Sequence, residues 1–211
     1  MHSEGGFFDR VPHPPEPEAP PPMPPWWQPP SGELPGRTVL DEILHRDRRL
    51  VVVLRELRRF SNGYEVRLGW MLRRDGLDRR EWDDLLRRRM HEPPTSGSGG
   101  VQLGLLLADG AAVYPIGFDA VALDAAAASS SDPYSPKPPT LCANHSGGGG
   151  DEREYRGGFT GWIWAPDGLA APTTLVLEWS DLGVPELRFE LDAAHLNALP
   201  EPRAVWRDDE A

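Results

Sequence analysis

The stretch LVVVLRELRRFSNGYEVRLGWML (residues 50–72) decides the fold class, because two alternating segments flank a short turn. Apolar residues alternate from Leu50 to Leu54, which is typical of a β-strand with one buried face. The alternation then changes phase, and this predicts a bulge near Arg55-Glu56. Ser61-Asn62-Gly63 has the composition of a hairpin turn. The stretch therefore predicts an antiparallel strand pair.

Working outward, the same period of two recurs at 37–44, 101–107, 155–164, 174–179 and 187–191. Strands and helices do not alternate regularly, which disfavours a parallel α/β sheet. We predict an all-β fold, an antiparallel β-sandwich that is loosely immunoglobulin-like, with seven or eight short strands. One or two short helices are expected, over 193–199 and over 77–90, where an ordered long loop is the alternative. The predicted core contains Leu54, Leu68, Trp70, Leu105, Ile163, Leu177 and Phe189.

Composition divides the chain into segments. Residues 1–35 hold 12 of the 24 prolines, which predicts an extended, Pro-rich segment. Residues 36–199 are predicted to form the sandwich, and the Ala-, Ser- and Gly-rich part at 117–152 to form a long mobile loop without catalytic function. Residues 200–211 are predicted to be an acidic tail.

The overall composition excludes several classes of protein. A single cysteine among 211 residues excludes a disulfide framework and a multi-cysteine metal site. The longest apolar run is far shorter than the roughly 18 residues of a membrane helix, so no membrane insertion is expected. A net charge of −11 argues against bulk affinity for nucleic acid. The N-terminus lacks the pattern of a secretory signal, so a cytoplasmic location is expected.

The charge is unevenly distributed along the chain. Residues 37–89 carry 15 arginines against 10 acidic residues, although the whole chain is acidic. Arg87, Arg88 and Arg89 end the predicted helix and are candidate interaction residues. The acids between residues 75 and 84 favour internal ion pairs, so a solvated helix face is the preferred interpretation. Binding of an acidic partner is the alternative.

Residues suited to catalysis or metal binding are sparse. Cys142 and His145 could offer a thiolate and an imidazole, but a closed zinc site needs four ligands on a rigid frame. No motif of a serine hydrolase, a zinc protease or a phosphate-binding loop occurs. Paired carboxylates follow from the 33 acidic residues alone. We therefore predict no catalytic, metal-binding or cofactor-binding residues.

The tryptophans are the most informative candidate residues. Trp162 and Trp164 lie two apart and so share one face of a strand, while Phe159 and Ile163 share the other. One face must belong to the core, and the second either is covered or forms a binding platform. The Pro-rich segment with Trp26 and Trp27 is the expected cover. An aromatic platform that stacks sugars is the alternative.

Short motifs near the C-terminus resemble those of a group of other proteins. GWIWAP (161–166), LVLEWS (175–180) and LGVP (182–185) resemble elements of a group of uncharacterised actinobacterial proteins. That group has a W-x-W-P strand, an E-W-P element and a G-I-P element, after a Pro-rich N-terminus and a glycine-rich loop. Ser180 stands where the group has proline, and Val184 where it has isoleucine. The resemblance implies no activity.

Taken together, these patterns favour a non-enzymatic interaction or scaffold module that binds a protein partner. The Pro/Trp segment or the Arg-rich edge would make the contact. A small-ligand or carbohydrate-binding β-sandwich that uses Trp162 and Trp164 is the alternative. The partner's identity and the oligomeric state stay open.

Overall fold

The computed structural model describes residues 23–91, 101–116 and 136–206, except for the side chains of residues 88–91. These residues form eleven strands and two helices. In chain order they are β1 (Glu33–Leu34), β2 (Gly36–Arg46), β3 (Leu50–Phe60), β4 (Gly63–Arg73), α1 (Arg79–His91), β5 (Gln102–Leu106), β6 (Ala112–Val113), β7 (Thr140–Gly150), β8 (Glu154–Trp164), β9 (Thr173–Trp179), β10 (Val184–Leu191), α2 (Ala193–Asn197) and β11 (Arg203–Ala204).

The strands form two larger sheets and one short ribbon. The first sheet has five strands in the order β2-β3-β4-β8-β7, and the second has four in the order β10-β9-β5-β6. β1 and β11 form the ribbon. All strand pairs are antiparallel. Side chains from both larger sheets meet in one core, which confirms the predicted all-β, antiparallel sandwich.

The β3–β4 hairpin follows the predicted pattern, including its irregularity. Leu54 pairs with Leu68 and Glu56 pairs with Arg67, so Arg55 is an extra residue in the ladder. This bulge restores the inward phase for the buried Leu57. It also places two consecutive side chains, those of Arg55 and Glu56, beside the same surface groove on the outer face of the five-stranded sheet.

The core contains most of the residues predicted for it. Leu54, Leu68, Trp70, Leu105, Ile163 and Leu177 are all buried. Phe189 is half-buried and packs against the core from its edge, so the prediction holds only in part for this residue. It lies on β10, the edge strand of the four-stranded sheet, and its ring packs edge-on against His195 at 5.4 Å. Alternation alone does not distinguish an edge strand from a central one.

Both predicted helices form, and both have side-chain caps. The backbone N–H of Asp78 donates to Glu81 at 2.8 Å, and the N–H of Glu81 donates to Asp78 at 2.8 Å. This reciprocal pair is a capping box that starts α1, and Trp82 of the first turn lies in the core. Asp192 caps α2 by accepting a hydrogen bond of 2.8 Å from the N–H of His195.

The predicted loop over 117–152 is wrong for its second half. Residues 140–150 form β7, an edge strand that pairs with β8 from Thr140 to Gly150. Alanine, serine and glycine give this strand no apolar period, so the ladder with β8 specifies it instead. Residues 117–135 lie outside the described residues.

The folded unit is wider than the predicted limits of 36 and 199. β1 pairs with β11, and the N–H of Val205 donates to Gly32 at 2.9 Å. The Glu33 carboxylate also accepts a hydrogen bond of 2.9 Å from the N–H of Ser61, in the β3–β4 turn. The Pro-rich segment and the acidic tail are therefore partly folded, and residues 1–22 and 207–211 lie outside the described part of the chain.

Candidate functional site

The outer face of the five-stranded sheet, which points away from the second sheet, has two distinct regions. The first is an aromatic cluster near the β3–β4 turn, here called the tryptophan end. It consists of Trp26, Trp27, Phe60, Ile116, Cys142, Trp162 and Trp164. The second is an open, basic depression further along the same strands, here called the arginine groove.

The N-terminal segment covers the tryptophan end. Trp26 is 5% exposed and packs with Phe60, Cys142 and Trp162, which is 2% exposed. The indole N–H of Trp162 donates to the Pro25 carbonyl at 3.0 Å. The thiol of Cys142 donates to the Trp26 carbonyl at 3.4 Å. Docking of this segment on the Trp162–Trp164 face, predicted from the sequence, is confirmed.

Edge-to-face aromatic contacts hold the tryptophan end together. The rings of Phe60 and Trp162 lie 5.6 Å apart at 90°, and those of Trp26 and Trp27 lie 5.7 Å apart at 86°. Trp164 and Trp27 are half-buried around this pair of contacts. Because Trp162 is covered, its ring does not offer the flat face that sugar stacking needs.

Cys142 and His145 lie on opposite faces of β7. The Cys142 thiol belongs to the tryptophan end, whereas the His145 ring packs 4.7 Å from that of Phe159 in the main core. Burial raises the pKa of the Cys142 thiol to about 11, which disfavours the thiolate needed for metal binding or nucleophilic attack. Within the described ranges, no three His, Cys, Asp or Glu side chains are grouped to hold a metal ion.

The predicted Arg-rich edge lies on α1. Arg87 is exposed and pairs with Asp84 at 3.3 Å, which is the internal ion pairing that the spacing predicts. The side chains of Arg88 and Arg89 lie outside the described residues. None of the described arginines of α1 lines the arginine groove.

Two bulges and two glycines shape the arginine groove. Gly69 of β4 pairs directly with Gly158 of β8, so neither residue contributes a side chain of its own to the floor. The bulge at Arg55 flanks the floor on β3, and a second register shift, between His145 and Gly148, flanks it on β7. This part of the groove has a volume of about 370 Å³.

The missing side chains make room for two polar groups. A β-carbon added at Gly69 would overlap the guanidinium Nε of Arg55, so that side chain lies directly over the glycine. A β-carbon added at Gly158 would overlap the hydroxyl oxygen of Ser146. Because Gly69 and Gly158 are cross-strand partners, Arg55 and Ser146 lie over one pair of residues, whose β-carbon positions are about 5 Å apart.

The groove has an excess of positive charge. Its two parts, the 370 Å³ depression and a neighbouring one of about 440 Å³, share Arg156 in their lining. Seven arginines line them, against three carboxylates. The arginines are Arg46, Arg48, Arg49, Arg55, Arg67, Arg73 and Arg156, and the acids are Asp47, Glu56 and Glu154. Within the described part of the chain, Arg46, Arg49 and Arg55 form no ion pair.

A partly buried charge network lies between the two regions. Arg58 bridges Glu56 at 3.0 Å and Glu65 at 3.2 Å, and Arg67 lies 3.8 Å and 3.9 Å from the same two carboxylates. Burial, reinforced by the nearby Glu56 charge, raises the pKa of Glu65, while Arg58 and Arg67 oppose that rise. Arg58 and Arg67 together balance Glu56 and Glu65, whereas the neighbouring Arg55 forms no ion pair in the described part of the chain.

Sequence reasoning missed the groove, although it found one of its causes. The predicted bulge at Arg55-Glu56 is the feature that aims Arg55 into the depression. A second sequence feature could have predicted the groove: Gly69 and Gly158 each lie inside a strand pattern. Glycine within a strand indicates that another group approaches the backbone closely at that position. The tryptophans were found from their spacing, but they form a covered cluster.

No protein-family model, curated protein or solved structure matches this chain. Its resemblance to the actinobacterial group therefore stays a prediction. None of the described helices has the length and apolar character needed to cross a membrane. The function must be argued from the geometry and charge of the site.

Proposed function

We propose that this chain is a non-enzymatic interaction module that binds an acidic segment of a protein partner in the arginine groove. One observation carries the proposal: a chain of net charge −11 has an open groove lined by seven arginines and three carboxylates. Such a concentration of positive charge on an acidic protein attracts anionic groups and steers their approach.

The position of Arg55 supports the proposal. A bulge aims its side chain into the groove, a glycine lets it lie close to the sheet, and it has no ion pair in the described part of the chain. An exposed guanidinium offers five N–H donors in a planar fork that matches a carboxylate. An acidic side chain that reached Arg55 would find a donor that no internal carboxylate occupies.

The lining of the groove favours an acidic polypeptide over nucleic acid. Proteins that bind single strands combine positive charge with aromatic side chains on which bases stack. Among the residues that the structure describes, those lining the groove include no aromatic side chain. A long polyanion would also experience repulsion from the net charge of −11, whereas a short acidic segment contacts the basic surface alone.

The competing function, sugar binding at Trp162 and Trp164, has less support. The Trp162 ring is covered by Trp26, and its indole N–H is already bonded to Pro25. Sugar stacking would require the N-terminal segment to leave.

The proposal is tested by measuring the binding of a fluorescent ten-residue peptide rich in Asp and Glu, by anisotropy, against a neutral peptide of equal length. We expect the acidic peptide to bind and its affinity to fall as salt is added. Arg55→Glu should weaken binding by about tenfold or more. The matched control is Arg203→Glu, an exposed arginine on β11 that lines neither part of the groove, and it should change affinity less than about threefold.

Two results would overturn the proposal. One is equal binding of the acidic and neutral peptides. The other is equal weakening by Arg55→Glu and Arg203→Glu, since the attraction would then be to net charge and not to the groove. Tighter binding of a single-stranded oligonucleotide of the same charge would assign the groove to nucleic acid instead.

A further inference from the structure

We infer that the glycine-floored part of the arginine groove is a seat for a phosphomonoester group. This inference rests on the proposed function and goes further, because it names the chemical group that the site prefers. Aspartate and glutamate would bind along the groove by charge. A phosphorylated side chain would bind at the Gly69–Gly158 pair.

The two glycines let the donor groups of the seat lie close to the sheet, beneath an open cavity. A tetrahedral phosphate is wider than a planar carboxylate, and it needs a depression in which its oxygens reach donors on more than one side. Gly69 and Gly158 lower the floor of that depression, because the side chains of Arg55 and Ser146 lie where their β-carbons would otherwise stand. On the β7 side, Gly147 has a φ of 78°, which lets the bulge carry Ser146 toward the floor.

The cavity offers more hydrogen-bond donors than the two oxygens of one carboxylate can engage. Arg55 lies over Gly69 and Ser146 over Gly158, so a guanidinium and a hydroxyl stand on opposite sides of one cross-strand pair. Arg67 and Arg156 line the same cavity. A carboxylate has two oxygens, whereas a phosphomonoester has three terminal oxygens and a charge between about −1.5 and −2. A phosphomonoester can therefore accept a bidentate pair from Arg55 and still offer a third oxygen to Ser146, whereas a carboxylate that accepts the bidentate pair has no further oxygen.

Carboxylates pair with Arg67 and Arg156 at the cavity, and among the described residues Arg55 is the lining arginine that forms no ion pair. Glu56 also lines the cavity, but Arg58 holds it at 3.0 Å. Arg156 donates to Glu154 at 2.7 Å through Nε and is partly neutralised by it. Arg55 has no such partner in the described residues, and it is the group that a phosphate would engage in a bidentate manner. Lysine at this position would keep the charge but lose the fork.

The inference is tested with three peptides that have the same acidic flanking residues and differ only in the central residue, which is serine, glutamate or phosphoserine. Binding is measured by anisotropy at constant ionic strength to the full chain. We expect phosphoserine to bind about tenfold more tightly than glutamate. Arg55→Lys and Ser146→Ala should each reduce that preference to about threefold or less, with little change for the glutamate peptide. Both side chains are exposed, and a thermal melt of each variant confirms folding.

The outcomes separate this inference from the proposed function. Phosphoserine binding within about twofold of glutamate overturns the inference and leaves the acidic-segment proposal standing. Failure of all three peptides overturns both. Free phosphoserine and inorganic phosphate serve as competitors to identify the source. If free phosphoserine or inorganic phosphate displaces the phosphopeptide at concentrations near the Kd of that peptide, the natural ligand is a small phosphomonoester. If displacement needs far higher concentrations, the natural ligand is a phosphorylated protein.

Discussion

The tryptophan end and the arginine groove share one sheet face and the same strands, yet one is covered and the other is open. Apolar rings in water are unfavourable, at about 25 cal/mol per Å² of exposed surface, so the chain's own Trp26 covers Trp162. Guanidinium groups are well solvated, and nothing in the energetics of folding requires them to be covered. The comparison teaches that the more conspicuous residues in the sequence stabilise the fold, while the open groove is available to a partner.

The largest expected effect is a loss of stability at the tryptophan end. Trp26→Ala should lower the free energy of unfolding by about 3–5 kcal/mol, because it leaves a cavity above Phe60 and Trp162. Trp206→Ala removes an equal ring that is 72% exposed, and it should cost less than about 0.5 kcal/mol. Chemical denaturation measures both. Equal midpoints for the two variants would show that the cover is not energetically significant.

The second effect concerns Cys142 beneath the cover. Burial raises its pKa from 9.0 to about 11, so the thiolate fraction at pH 8 should be roughly 100-fold below that of the unfolded chain. Iodoacetamide should therefore alkylate the native protein at least that much more slowly, and Trp26→Ala should accelerate the reaction. Alkylation of the native chain at the unfolded rate would contradict the burial of the thiol. This experiment reports on the cover without a stability measurement.

A smaller effect is expected from Glu65, in the network between the two regions. Its pKa is raised in the folded protein, so the folded state holds its proton more tightly than the unfolded state does. Its contribution to stability is therefore present below the ordinary pKa of 4.5 and declines as the pH rises through that value toward the raised one. The stability of the wild type relative to Glu65→Gln should fall over this interval. A rise would mean that Arg58 and Arg67 outweigh burial.

The smallest effect on stability is expected at the groove itself. Arg55→Ala removes an exposed side chain without an ion pair in the described residues, so the free energy of unfolding should change by less than about 0.5 kcal/mol. The same variant should weaken binding of the acidic peptide. Thermal melting measures the stability of this variant, and fluorescence anisotropy on the same sample measures its binding of the acidic peptide. A stability loss above 1 kcal/mol would place Arg55 among the structural residues and weaken the distinction between the regions.

Strands with a clear period of two were predictable, because alternation reflects burial on one face. β3 and β4 show this, and so does the Arg55 bulge, where the phase change is visible in the residues themselves. β7 was not predictable, since alanine, serine and glycine show no alternation and the strand depends on its partner β8. The half-buried Phe189 shows a related limit, because strand order decides which strand is the edge.

The candidate site divides in the same way. By itself, the sequence determined the all-β class, the hairpin, the Asp192 cap and the need to cover a strand that is apolar on both faces, because these depend on neighbours along the chain. Only the tertiary structure decided that Gly69 lies beside Gly158, and that Arg55 lies over the first and Ser146 over the second. Those residues come from four different strands. Their proximity follows from strand order and register, which the packing of the whole sheet determines.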